Sequence, residues 1–302
     1  MIDQVLPPAQ APVVSAAIFK AYDIRGIVET ALTEEAVSAI GLALGAKARA
    51  RGIGQVVVGR DGRLSGPALA RALSAGLCAA GVDVIDIGMV PTPLVYFATV
   101  LTGSGTGVAV TGSHNPPEYN GLKMMLGGAT LHGEDIRDIA ATLADPARYA
   151  ALFAATPGTV RTLDVVPDYI ARIAGEVKLA RPLKVVVDAG NGVAGAVAPA
   201  LLRALGITDL TELYCEVDGH FPNHHPDPAH PENLRDLIRE VQARDADIGL
   251  AFDGDGDRLG VVTRSGQMIF PDRQLMLYAA DVLEKNPGAT IIYDVKCTRN
   301  LA

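Results

Sequence analysis

Ser113, His114 and Lys123 share one short segment, Thr111-Gly-Ser-His-Asn-Pro-Pro-Glu-Tyr-Asn-Gly-Leu-Lys123. A serine hydroxyl is a weak nucleophile unless a base or a phosphate-binding cation assists it. Here a nucleophile, a base and a cation would share one loop. The apolar run 106–110 ahead of it reads as a buried strand that delivers Ser113 onto that loop. Gly112 allows a sharp turn, and Pro116-Pro117 forbids a helix at the exit. The same residue types also make ordinary surface turns. Taken alone, the segment does not decide for chemistry.

A second cluster, Asp253-Gly-Asp-Gly-Asp-Arg258, supplies what serine-based phosphoryl transfer lacks. Three alternating carboxylates repel one another, and a bound cation is the natural reason to crowd them. Fully extended, the outer two would stand about 13 Å apart at roughly 3.3 Å per residue. Mg²⁺ takes its oxygens at about 2.0–2.1 Å, so the loop must curl, and Gly254 and Gly256 permit that. A calcium EF-hand is disfavoured, because Arg258 stands where that loop needs glycine and Arg264 where it needs glutamate. The competing reading is a plain acidic turn.

Two further patterns point elsewhere. Gly190-Asn-Gly-Val-Ala-Gly195 fits the dinucleotide G-x-G-x-x-G pattern after a strand, with Glu212 and Glu216 near the expected acidic position. That would make the protein an NAD-dependent oxidoreductase. However, Asp188 would repel a pyrophosphate there, and both chemical clusters would be left idle, so a helix-starting packing turn is the better reading. His220, His224, His225 and His230 resemble a metal cluster, but Pro222, Pro226, Pro228 and Pro231 between them suggest a rigid extended connection.

The elements that must position these groups alternate. Residues 18–26 are an apolar segment ending in Arg25-Gly26. Helical patterning covers about 33–51, with Thr33 as N-cap and Glu34 and Glu35 in the first turn. Residues 56–61 read as a strand, 67–80 as a helix and 82–87 as a strand. Pro91 or Pro93 opens the next helix, and 133–145 closes the unit. A second unit from about 161 reads as strand 184–187, helix 193–205, strand 209–217, helix 232–244 and strand 248–252. From 266 a third begins, with a helix at 273–284 and a strand at 289–295. The fold class is therefore α/β: two similar layered domains with mixed, largely parallel sheets, plus the start of a third. Both chemical clusters follow strands, at the sheet ends where such folds bind ligands.

Length and composition agree. A chain of 302 residues suggests about two domains, with room for a third. Hydrophobic residues at 49 % supply real cores, and a net charge of -8 argues against nucleic acid as the main partner. Cys78, Cys215 and Cys297 make neither a disulfide framework nor a metal spacing, which fits a reducing cytoplasm. No signal peptide or membrane span is expected.

Together the serine and aspartate segments, Ala-Tyr-Asp-Ile-Arg-Gly at 21–26, Phe-Pro-Asn-His-His-Pro-Asp-Pro at 221–228 and Asp-Val-Lys-Cys-Thr-Arg at 294–299 resemble the α-D-phosphohexomutases. The resemblance runs from about residue 18 to the end and is strongest to the bacterial phosphomannomutase/phosphoglucomutase group. Gly112 fits that group better than the phosphoglucosamine mutases, which tend to carry alanine there. The resemblance implies a phosphorylated Ser113, with Mg²⁺ held by Asp253, Asp255, Asp257 and the serine phosphoryl group. It implies interconversion of hexose 1- and 6-phosphates of mannose or glucose through a 1,6-bisphosphate. His114, Lys123 and Arg25 would then serve catalysis, and Tyr22, Arg258 and Lys296 would bind the phosphosugar. A phosphoserine adds about -1.5 to -2 charge, so these cations would offset an acidic site.

The resemblance also implies a cytoplasmic monomer of four domains. On that scheme residues 1–15 are a disordered tail, 16–160 domain I with the phosphoserine loop and 161–265 domain II with the metal loop. Residues 266–302 would be an incomplete domain III, domain IV would be absent, and activity would be impaired by truncation. The alternative from another class is a non-catalytic remnant that binds a metal or a phosphosugar.

Overall fold

The computed structural model describes residues 7–301. The first unit runs β1 (Ile24–Ile27), α1 (Glu34–Ala50), β2 (Gln55–Arg60), α2 (Gly66–Ala79), β3 (Asp83–Met89), α3 (Thr92–Leu101), β4 (Gly107–Val110), β5 (Tyr119–Leu126), β6 (Ala129–Thr130), α4 (Glu134–Ala144), α5 (Pro146–Ala150) and β7 (Val160–Thr162). Its sheet has the order β1-β5-β4-β2-β3-β7, with β6 beside β5. The β4-β2-β3-β7 stretch is parallel, and β5 and β1 join it antiparallel. Val56, Val57 and Val58 of β2 and all of β4 are buried, as expected of parallel strands covered on both faces. One face packs under α1, α2 and α4 through Ile40, Leu44, Leu73, Leu77 and Ile136. The other packs under α3 through Val57, Ile85, Leu94 and Val95, and Val197 of the second unit belongs to the same cluster.

The second unit runs α6 (Val166–Glu176), β8 (Lys184–Asp188), α7 (Ala198–Ala204), β9 (Asp209–Leu213), α8 (Arg235–Ala243), β10 (Ile248–Phe252), β11 (Leu259–Thr263) and β12 (Met268–Ile269). Its sheet order is β12-β11-β10-β8-β9, parallel at β10-β8-β9 and antiparallel beyond. Both sheets thus repeat one device. A parallel strand (β4, β10) emits the functional loop, and the chain returns as its antiparallel neighbour (β5, β11).

Most expected elements form, and Thr33 caps α1 by accepting from the Ala36 amide at 3.1 Å. The exceptions have local causes. The helix expected over 193–205 is a 3-10 turn followed by α7, because Pro199 is tolerated only in a first turn. The strand expected to reach 217 stops at Leu213, where Tyr214 takes φ 50°. The segment near 161, expected to open the second unit, instead adds β7 to the edge of the first sheet. No strand forms over 289–295, since a strand needs a neighbour to pair with and Ile292 and Val295 stand exposed. Among the described residues, only α9 (Pro271–Lys285) and a 3-10 turn follow β12.

The first six residues of the expected disordered tail lie outside the described residues. From Pro7 onward the segment is docked: Ala11 and Val14 pack on the first core, and the Tyr149 hydroxyl donates to the Pro8 carbonyl at 2.8 Å. No helix among the described residues is long and apolar enough to cross a membrane.

Candidate active site

Strand order assembles the site. Residue 123, expected to end the serine loop, lies inside β5, with Lys123 opposite Ala109 of β4. Arg25 lies on β1 opposite Gly121 of β5. Sheet pairing therefore sets both cations beside the loop that β4 emits.

Ser113 is buried and takes φ 52°, a left-handed conformation that costs a non-glycine residue about 1–3 kcal/mol. Arg63 holds it there, and sequence reasoning missed this residue. Its side chain has no solvent exposure. Nη1 donates to the Pro116 and Tyr119 carbonyls, Nη2 to those of Ser113 and Asn115, and Nε to Asp61 at 3.2 Å. All five guanidinium N–H donors are thereby used. Asp61 in turn accepts from the Thr111 hydroxyl at 2.8 Å and the Gly112 amide at 3.2 Å. A side-chain carbon at 112 would lie 2.5 Å from the guanidinium, so alanine there would force Arg63 to shift. The signal in the sequence was the charges of Arg60, Asp61 and Arg63 crowded behind the apolar run 56–59.

The aspartate loop curls as expected. Asp253 Oδ1 accepts from the amides of Asp257 and Arg258, each at 3.0 Å, and Gly256 takes φ 72°. Carboxylate oxygens of Asp253, Asp255 and Asp257 lie within 4.8 Å of one another. Gly254 has a different job from the one expected: a side-chain carbon there would sit 2.4 Å from the Ser113 carbonyl, so it permits close approach of the two loops.

The two loops meet. Ser113 Oγ donates to Asp253 Oδ2 at 3.1 Å and lies 3.3 Å from His114 Nδ1. Lys123 Nζ donates to Asp255 Oδ2 at 2.8 Å and also to Asp257. Arg25 donates to Asn115 Oδ1 at 2.8 Å and pairs with Asp23.

Charge is concentrated where solvent is excluded. Burial, with Asp255 and Asp257 adding to it, pushes the Asp253 carboxyl up to about 8. Burial would do the same to Asp255, but Lys123 and Thr92 outweigh it and hold that carboxyl below its ordinary range. Burial lowers His114, with Arg258 adding to the effect. A crowded trio with one carboxylate pushed so high fits a divalent cation. So does Asp255 Oδ1, which is buried without a hydrogen-bond partner.

The remaining expected residues divide. Arg258 and Lys296 line one cavity of about 670 Å³ with Asp257, Gln274 and Tyr278, within the ordinary range for small-molecule sites. Tyr22 is 76 % exposed in the bend before β1. Each of His220, His224 and His230 pairs with a neighbouring carboxylate, and the aspartate trio is the one metal-capable cluster of three or more among the described residues. The glycine pattern 190–195 is packed shut, since a side-chain carbon at 195 would lie 2.1 Å from the Cys215 carbonyl.

Comparison with known proteins places the chain in a family. Residues 16–149 match phosphoglucomutase/phosphomannomutase alpha/beta/alpha domain I, and residues 167–266 match domain II. The chain belongs to the phosphoglucomutase/phosphomannomutase family. It is 56 % identical to a phosphoglucomutase of Neisseria gonorrhoeae over 94 % of its own length and 61 % of that protein's. It is 54 % identical to the phosphomannomutase/phosphoglucomutase of Pseudomonas aeruginosa over 97 % of its length and 62 % of that protein's. The chain thus spans less than two thirds of these curated relatives. A crystal structure of a phosphoglucomutase/phosphomannomutase family protein from Burkholderia thailandensis superposes with a TM-score of 0.90 at 57 % identity, over 96 % of this chain and 64 % of that one.

Proposed function

We propose that this chain carries the phosphoryl-transfer half of a hexose phosphate mutase. Ser113 would hold the phosphoryl group in the resting protein and pass it to a hexose 1- or 6-phosphate of mannose or glucose. The Oγ–P bond breaks as a sugar hydroxyl oxygen bonds to phosphorus, and the proton that hydroxyl loses is balanced by the one Ser113 Oγ gains, giving a 1,6-bisphosphate and a free serine. The bisphosphate then returns its other phosphoryl group to Ser113. The observation that carries this reading is the 3.1 Å contact between Ser113 Oγ and Asp253 Oδ2.

Asp253, Asp255 and Asp257, with an oxygen of phosphorylated Ser113, would hold Mg²⁺. When bound, that ion supplies Lewis-acid neutralisation of charge on the phosphoryl oxygens. Lys123 would keep Asp255 and Asp257 oriented while adding positive charge. Arg25 would brace the serine loop through Asn115. His114, in contact with Ser113 Oγ, would exchange a proton at that oxygen as the phosphoryl group leaves and returns. Arg258 and Lys296 would hold the anionic end of the phosphosugar in the cavity they share with Asp257.

Intact-mass measurement tests the first step. The purified chain, first dephosphorylated and then incubated with glucose 1,6-bisphosphate, should gain about 80 Da, the mass of a phosphoserine modification. Ser113→Ala should gain nothing. A modification that persists in that variant overturns the assignment.

A further inference from the structure

Asp255 belongs to the second unit, yet it is gripped by a residue of the first. Thr92, at the start of α3, is 2 % exposed. Its hydroxyl donates to Asp255 Oδ2 at 2.6 Å, and its amide donates to the Asp255 carbonyl at 2.9 Å. Asp255 is thus pinned at both its carboxylate and its backbone by one residue 163 positions away. The neighbouring Pro91 closes the same contact, since a side-chain carbon at 256 would lie 3.2 Å from the Pro91 ring.

The consequence is an asymmetry in the carboxylate. Oδ2 accepts from Thr92 and from Lys123, whereas Oδ1 is buried and accepts from nothing. A buried carboxylate oxygen without a donor is costly, unless a cation is what it awaits. Without the Thr92 hydroxyl, Lys123 alone would hold the group. Either oxygen could then turn toward the ammonium, and the free oxygen would no longer have a fixed direction.

We propose that Thr92 is a positioning residue for the metal centre. It fixes Asp255 so that Oδ1 is the oxygen offered to a divalent cation, and it makes cation affinity depend on contact between the two units. This rests on the reading above that the three aspartates hold such a cation. Partners that orient metal ligands in this way typically change affinity or activity by about 10- to 100-fold when removed.

The test is Mn²⁺ binding to the purified 302-residue chain, read from the paramagnetic resonance of free Mn²⁺. Thr92→Val keeps the shape and loses the hydroxyl. Its Kd should rise at least about tenfold, and Thr92→Ser should stay within about twofold of the parent. If Thr92→Val does not fold, the comparison of Thr92→Ser with Thr92→Ala decides, because both lose the methyl group and only one keeps the donor. Equal Kd values for Thr92→Val and the parent, or for the Ser and Ala variants, overturn the proposal while leaving the metal centre standing. A parent chain that binds no Mn²⁺ overturns both.

Discussion

Ser113 Oγ lies 3.1 Å from Asp253 Oδ2 although the two residues are 140 positions apart. One comes from the loop after β4 and the other from the loop after β10, so each sheet contributes one half of the pair. A buried hydroxyl against a buried carboxylate leaves little room for adjustment.

Asp253→Asn should separate stability from metal binding. The parent pays for a carboxyl pushed up to about 8 by burial and by its acidic neighbours. An amide in its place still accepts from the Asp257 and Arg258 amides. In EDTA the variant should therefore melt no lower than the parent. Mg²⁺ at about 100 times its Kd should stabilise the parent by about 2.7 kcal/mol, and the variant not at all. Paired thermal melts with and without Mg²⁺ check this.

Arg63→Met should be among the most destabilising single changes. It strips donors from four carbonyls and leaves Asp61 buried without its cation. Breaking a buried pair from one side costs about 3–5 kcal/mol. The urea midpoint should fall accordingly with the slope unchanged. Arg63→Lys should recover only part, because an ammonium has three donors in place of five.

Gly254→Ala should act on chemistry. The added carbon would sit 2.4 Å from the Ser113 carbonyl and force the two loops apart. Misplacement of reacting groups by about 1 Å costs about 100-fold in rate. Single-turnover phosphorylation of Ser113 by glucose 1,6-bisphosphate, followed by intact mass, should slow by that order.

His224 should make stability depend on pH. Its Nε2 faces the Asp188 carboxylate at 3.0 and 3.1 Å, and its Nδ1 faces the His225 carbonyl at 3.0 Å. Both partners only accept, so the doubly protonated ring suits the site. Burial opposes that charge, but Asp188 outweighs it and raises the group above 6.5. A raised folded value means the contribution is full below about pH 6.5 and fades as pH rises through the folded value. The stability gap between parent and His224→Gln, from urea unfolding, should be widest near pH 6 and narrow toward pH 9. A gap that widens with pH would refute the pairing.

How much of this was legible in advance varied with the reach of the interaction. The helix α1 was read to within a residue, because its cap and first-turn acids are local. The continuous apolar runs of β2, β4, β8 and β10 announced central strands. By contrast β5 was read as loop, since its alternation of small, polar and apolar residues becomes a strand only beside β4 and β1. The opposite error occurred at 289–295, an apolar run with no strand to pair with.

The sequence by itself determined which chemistry was available: a serine on a strand-borne turn, three carboxylates forced to share space, and glycines that let both loops bend. Those are properties of residue types and of neighbours along the chain. Only the tertiary structure decided that the serine and the carboxylates face each other, that Arg63 holds the loop and that Thr92 reaches across to Asp255. Such contacts join segments far apart in the chain, and their distances depend on sheet order and unit packing, which no local pattern encodes.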